Sequence, residues 1–243
     1  MAGQRGRQLV ERLSEDWQRG LVIVAHPDDI EYGAAAAVAR WTGQGKDIRY
    51  VLVTSGEAGI AGLPPAESGP VREAEEIASA KAVGVHQVDF LGYPDGRVEE
   101  SLQLRRDLAA AIRRHQPELV VLFNFGDIWA PGYANSADHR AVGRAALDAI
   151  SDAGNEWIFP ELTDAPWSPR WGAVMGPKVT HAVDVSANID QARASLAEHR
   201  RYLEVLSSEP VEEQVRAIVE RATGPIEGFP AEHAVGFELY YFS

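Results

Sequence analysis

The 243-residue chain carries a formal net charge of -13 and no cysteine. That acidity argues against nucleic-acid and anionic-membrane partners, which need a basic face to displace counterions. Without thiols there is no disulfide framework and no thiolate zinc site, so any metal must be held by His and carboxylate side chains.

The length suits one α/β domain over 1–243. The first twenty residues are polar and mixed in charge, without the apolar core of a signal peptide. No apolar run approaches the ~20 residues of a spanning helix, so a soluble, cytoplasmic protein is expected.

The first apolar run, Leu21-Val22-Ile23-Val24-Ala25, is short and β-branched and stops at His26-Pro27. It reads as a buried strand whose carboxyl end delivers a polar cluster into a turn. An Ala-rich helix over 32–42, a strand over 48–54 and a Gly/Pro-rich loop over 55–70 follow. The pattern then predicts a helix over 71–83, a strand over 87–91, a helix over 101–115 and an apolar strand over 119–123.

Beyond these come a helix over 139–151, an irregular Trp- and Pro-rich stretch over 155–176 and a strand over 181–185. Helices over 189–206 and 211–222 and a last aromatic strand over 234–242 complete the chain. Alternating elements with continuously apolar strands imply a mainly parallel sheet covered by helices on both faces, an α/β Rossmann-like three-layer architecture. Ligands of such sheets sit at the carboxyl ends of the strands.

One imidazole, His26, and two adjacent carboxylates, Asp28 and Asp29, fall at such an end. Neighbouring carboxylates repel, and a bound cation compensates them most effectively. With Pro27 fixing the backbone, His26 and Asp29 can face one point while Asp28 projects beside it, giving two ligands and one free base. Catalytic zinc sites typically use three protein ligands and keep a position for water. Asp138-His139, at a second strand-to-helix passage, is the best-placed source of the third.

The segment Ala25-His26-Pro27-Asp28-Asp29-Ile30-Glu31 resembles the hallmark of the PIG-L/LmbE family of metal-dependent N-deacetylases. The likeness continues through residues 52–59, through Arg72-Glu73-Ala74-Glu75, through Leu91-Gly92-Tyr93-Pro94-Asp95-Gly96 and through residues 137–145. Ile30, interposed before Glu31, is similar to the spacing in the branch that includes bacillithiol-pathway deacetylases; mycothiol-pathway enzymes are also relatives.

The resemblance implies His26, Asp29 and His139 as ligands of one zinc, or another divalent ion such as iron, per subunit. It implies Asp28 as general base. Asp138 would orient an imidazole or another polar group, and Arg72 would contact substrate; a salt bridge at its own helix start, among Glu73, Glu75 and Glu76, is the competing reading of Arg72.

The implied substrate is a small N-acylated, in the first place N-acetylated, amino sugar. Where the family commonly places a histidine three residues before the last ligand, this chain has Ser136. A hydroxyl donates a hydrogen bond but is no cation at neutral pH. Ser136 or Asn135 could donate instead, or His181, His199 or His233 could reach in, or turnover could be slow.

Three readings follow: N-deacetylase, amidase for a larger acyl group or thiol-sugar conjugate, and metal- or sugar-binding protein with little turnover. Trp129, Tyr133, Trp157, Trp167 and Trp171 are expected around the mouth of the site, and self-association is left open.

Overall fold

The computed structural model describes residues 9–130 and 132–242, so the first eight residues of the polar amino-terminal segment lie outside the described residues. A short edge strand β1 (Glu11–Arg12) precedes β2 (Arg19–Val24), the run expected from its β-branched residues. Helix α1 (Ala35–Gly43) leads to β3 (Asp47–Leu52), and α2 (Pro65–Ala82) leads to β4 (Val88–Phe90). Helix α3 (Leu102–His115), capped by the Ser101 hydroxyl, leads to β5 (Leu119–Leu122).

A small hairpin of β6 (Ile128–Ala130) and β7 (Tyr133–Ala134) introduces α4 (Ala137–Gly154). Strands β8 (Trp171–Met175) and β9 (His181–Asp184) are followed by α5 (Ile189–Ala197), α6 (Arg200–Leu206), α7 (Val211–Ala222) and β10 (Ala234–Tyr241).

Among the described residues, eight strands share one sheet in the order β1-β9-β10-β8-β5-β2-β3-β4. Only β10 runs antiparallel to its neighbours β8 and β9; the other pairs are parallel. Side chains alternate along each strand, which separates two cores. Val22, Val24, Tyr50 and Leu52 pack with apolar residues of α1, α2, α5, α6 and α7. Leu21, Ile23, Val51 and Leu122 pack with α3 and α4 on the opposite face. Each such fully buried aliphatic side chain contributes about 1.5–3 kcal/mol, and together they make the central strands the rigid platform for the site.

Four local expectations are corrected. Helix α2 starts at Pro65, not after Pro70. Proline at a first helical position needs no N–H partner, and Pro70 forfeits only the bond to the carbonyl of Ala66, an exposed residue where water can substitute. Strand β8 lies within the stretch read as irregular, because burial beside β5 outweighs its single β-branched residue, Val174. The continuous helix expected over 189–206 is broken at His199, where ψ is 40°, although no Gly or Pro marks the break. Trp167 and Trp171 stand at the amino ends of strands, near Pro117 and at the start of β8, and Trp157 is exposed away from the site, so none of the three borders its mouth.

Candidate metal centre

The order β3-β2-β5 places a topological switch between β2 and β5, where chains leave the sheet in opposite directions and a crevice opens beyond their carboxyl ends. His26, Asp28 and Asp29 follow β2, and His139 lies in the first turn of α4, which follows β5. The two sequence candidates thus meet across the crevice.

The turn after β2 is organised by Asp29. Its Oδ2 accepts hydrogen bonds from the backbone N–H groups of Ala25, at 3.1 Å, and His26, at 2.9 Å. Its Oδ1 is left facing His139 Nε2 at 2.9 Å. His26 Nδ1 lies 3.1 Å from the same His139 nitrogen and 3.6 Å from Asp29 Oδ2.

The outer nitrogens are held by acceptors. His26 Nε2 meets Asp138 Oδ2 and Asp95 Oδ1, each at 3.2 Å, and His139 Nδ1 meets the Asn135 amide oxygen at 2.8 Å. Those contacts put the ring protons outward, as second partners of metal-bound imidazoles do. The inner nitrogens then present two lone pairs to one another, an arrangement that a shared cation resolves. Ligands ~2.0–2.1 Å from a tetrahedral ion stand about 3.3 Å apart; His139 Nε2 is 2.9 Å from Asp29 Oδ1 and 3.1 Å from His26 Nδ1, both near that value, and one ligand atom from each of the three residues lies within 4.8 Å of the others. The donor set therefore fits a divalent ion.

Asp138 is fully buried, and its oxygens accept from the backbone N–H groups of Gly96, at 2.7 Å, and Val98, at 3.1 Å. It is thus fixed behind His26. Asp95 shares that position and was missed as a site residue, although it stands within Tyr93-Pro94-Asp95-Gly96; only folding brings it to His26. Asn135 is also spent, since its amide group donates to the carbonyls of Asn124 and Gly126. The Ser136 hydroxyl caps α4 by accepting from the N–H of Asp138 at 3.2 Å and lines the crevice with its own proton free to donate.

Asp28 sits beside the cluster at φ 86°, a left-handed conformation unusual for a non-glycine residue. Its Oδ2 is 3.1 Å from Arg72 Nη2. Arg72 also donates to the carbonyls of Pro27 and Gly56, and Tyr202 covers its guanidinium with the ring centroid 4.1 Å away. A Cβ on Gly56 would lie 2.4 Å from Arg72 Nη1, so this loop can approach only as glycine. Burial pushes the Asp28 carboxyl up, Arg72 pulls it back and Asp29 adds to the rise, and the balance stands at about 6.

Of the three later histidines, only His199 comes near, and it does so from beneath. It is fully buried, with Nε2 3.3 Å from Glu31 Oε2 and 3.6 Å from Glu76 Oε2. His181 pairs with Glu11 and Tyr241, and the ring of His233 meets the Thr223 carbonyl.

The crevice has a volume of about 550 Å³ and is bordered by His26, Asp28, Arg72, Trp129, Ser136 and Tyr202. A second cavity, of about 440 Å³, shares Tyr32 and Trp129 with it as a common wall.

Residues 21–150, over half of the chain, match the family model described as PIG-L, GlcNAc-PI de-N-acetylase. The chain belongs to the PIG-L family.

Among PIG-L relatives, an uncharacterised deacetylase of Escherichia coli is 37% identical over 169 residues, which cover 67% of this chain and 80% of that protein. Diacetylchitobiose deacetylase of Thermococcus kodakarensis is 30% identical over 141 residues, covering 57% of this chain and 51% of that protein. The chain thus spans about half the length of that curated relative.

The structure of N,N'-diacetylchitobiose deacetylase from Pyrococcus horikoshii superposes with a TM-score of 0.81 at 25% identity, over 93% of this chain and 85% of that one. A 4-carboxy-2-hydroxymuconate hydratase from Pseudomonas putida shares the fold, with a TM-score of 0.67 at 21% identity over 92% of this chain and 96% of that one. The architecture alone therefore does not specify the reaction. His199 and Tyr202 lie beyond the matched PIG-L residues, so the carboxyl-terminal helices complete the surroundings of Asp28. Among the described residues no helix is long and apolar enough to cross a membrane.

Proposed function

We propose that the protein hydrolyses the N-acetyl amide of a small amino-sugar compound with one divalent ion, zinc in the first place, held by His26, Asp29 and His139. The reading is carried by one observation: two inward imidazole nitrogens and Asp29 Oδ1 converge, while Asp28 stands beside them with its carboxylate uncommitted to the cluster.

A divalent ion there would supply an acidified water and a positive charge to polarise the acyl carbonyl. Asp28 takes the proton from the attacking water and returns it to the departing amine. Arg72 keeps the Asp28 carboxylate in place, and the Ser136 hydroxyl is the donor that stands at the position of the missing family histidine. A hydroxyl stabilises developing negative charge less than an imidazolium, which makes Ser136 the weak element of the design.

The names of the relatives support acetylated amino sugars as substrates, diacetylchitobiose among them. The neighbouring cavity behind Tyr32 and Trp129 favours a second reading in which the substrate carries a larger acyl or thiol-sugar portion. Metal analysis combined with an acetate-release screen over N-acetylglucosaminides and their bulky-acyl counterparts tests both. Protein that holds no divalent ion, or that holds one and releases neither acid, would remove the hydrolase reading.

A further inference from the structure

Glu31, Glu76 and His199 form a buried ionisable cluster directly beneath the base, and none of the three reaches the crevice. They come from three separate parts of the chain: the turn after β2, the middle of α2 and the break between α5 and α6. Two carboxylates and one imidazole taken out of water carry a large desolvation cost unless each has a partner. Their partners are mainly one another. Glu31 Oε1 accepts from the hydroxyls of Ser79, at 2.7 Å, and Ser195, at 3.1 Å, while the imidazole stands between Glu31 Oε2 and Glu76 Oε2.

The cluster touches the site at the backbone of Asp28. Glu76 Oε2 accepts a hydrogen bond from the backbone N–H of Asp28 at 3.2 Å. Asp28 is the residue at φ 86°, which L-residues leave unless something holds them there. Arg72 holds its carboxylate from the side, and Glu76 holds its backbone from below. His199 in turn holds Glu76, because without a positive neighbour Glu76 and Glu31 would repel each other.

We propose that Glu76, steadied by His199 and Glu31, is a positioning residue that keeps the backbone of Asp28 in its left-handed conformation and so aims the base. The inference rests on reading Asp28 as the general base, but its structural half does not depend on turnover.

Two substitutions of similar size separate the roles. Glu76→Gln keeps an oxygen that accepts the Asp28 N–H, and Glu76→Met fills the same space with no acceptor and relieves the repulsion with Glu31, so it should fold. Crystal structures of both are expected to keep Asp28 at positive φ in the Gln variant and to lose it in the Met variant. With an N-acetylglucosaminide, kcat should stay within about threefold for Gln and fall on the order of 10²-fold for Met, as for a misplaced catalytic group, with KM and bound divalent ion unchanged. In an Asp28→Ala background neither substitution should lower kcat further, because both act through the missing carboxylate.

If Glu76→Met yields no folded protein, His199→Gln takes its place, with an expected kcat loss of about tenfold at wild-type KM. The proposal is overturned if Asp28 keeps its conformation and kcat in Glu76→Met, if in the substitute variant kcat stays at the wild-type level, or if the losses add fully to that of Asp28→Ala. Undiminished turnover in Asp28→Ala alone would instead remove the base reading.

Discussion

His26 Nδ1 and His139 Nε2 face one another across 3.1 Å, each with its other ring nitrogen engaged by an acceptor. Two lone pairs at that distance repel, so the pair is built for a cation between them. Replacing either histidine by alanine is expected to reduce the bound divalent ion from about one per chain to near none. Metal analysis by mass spectrometry checks this, and retention of a full equivalent in both variants would contradict the assignment.

Asp28→Ala is expected to keep the ion and to lower turnover by about 10²–10⁴-fold. As a base Asp28 acts only when ionised. The protein's own groups put it at about 6, and a neighbouring cation draws it lower. Turnover should therefore rise with pH along an acid limb centred at or below about pH 6 and level off above it, with that limb absent from the residual activity of the variant. A kcat profile that falls as pH rises through this range would speak against the role.

The Asn135 side chain accepts from His139 and donates to two carbonyls at the exit of β5. Asn135→Ala removes the acceptor that orients His139 without touching a ligand, and metal affinity should weaken by about 10–100-fold. Competition against a chelator of known affinity measures it; an unchanged dissociation constant would mean that the tautomer of His139 is set elsewhere.

His199 links pH to stability. Burial alone would lower its pKa, but Glu31, then Glu76 and Asp28, raise it to about 9, above its unfolded value near 6.5. A raised pKa means that the folded state binds the proton more tightly, so the stabilisation is complete below about pH 6.5 and is lost as pH climbs through about 9, by up to about 3 kcal/mol. Melting temperatures of the wild type and His199→Gln should therefore differ most near pH 6 and converge toward pH 10. A constant difference across that range would show that His199 does not titrate with folding.

Much of the site was legible in one dimension. His26, Asp28 and Asp29 share a single turn, and a β-branched run followed by His-Pro identifies that turn as the carboxyl end of a strand. Asp138-His139 was recognisable as a partner because it follows a second such strand. Asp95 and Glu76 were not, since their roles depend on which backbone or imidazole they reach, and their own neighbours in sequence carry no trace of it. The sequence offers His199 to the crevice as a replacement for the absent family histidine, yet the break between α5 and α6 delivers it to the underside of the same turn.

Local composition and periodicity thus determined most of the elements, the mainly parallel sheet and the residue types able to bind a metal, because these depend on side-chain chemistry and short-range geometry. Which nitrogen of each imidazole faces inward, what holds Asp28 at φ 86° and which distant helix closes beneath it were decided by the tertiary structure. Those features arise from contacts between β2, α2, α4 and the α5–α6 break, and residues 31, 76 and 199 acquire a common role only when burial brings their charges together.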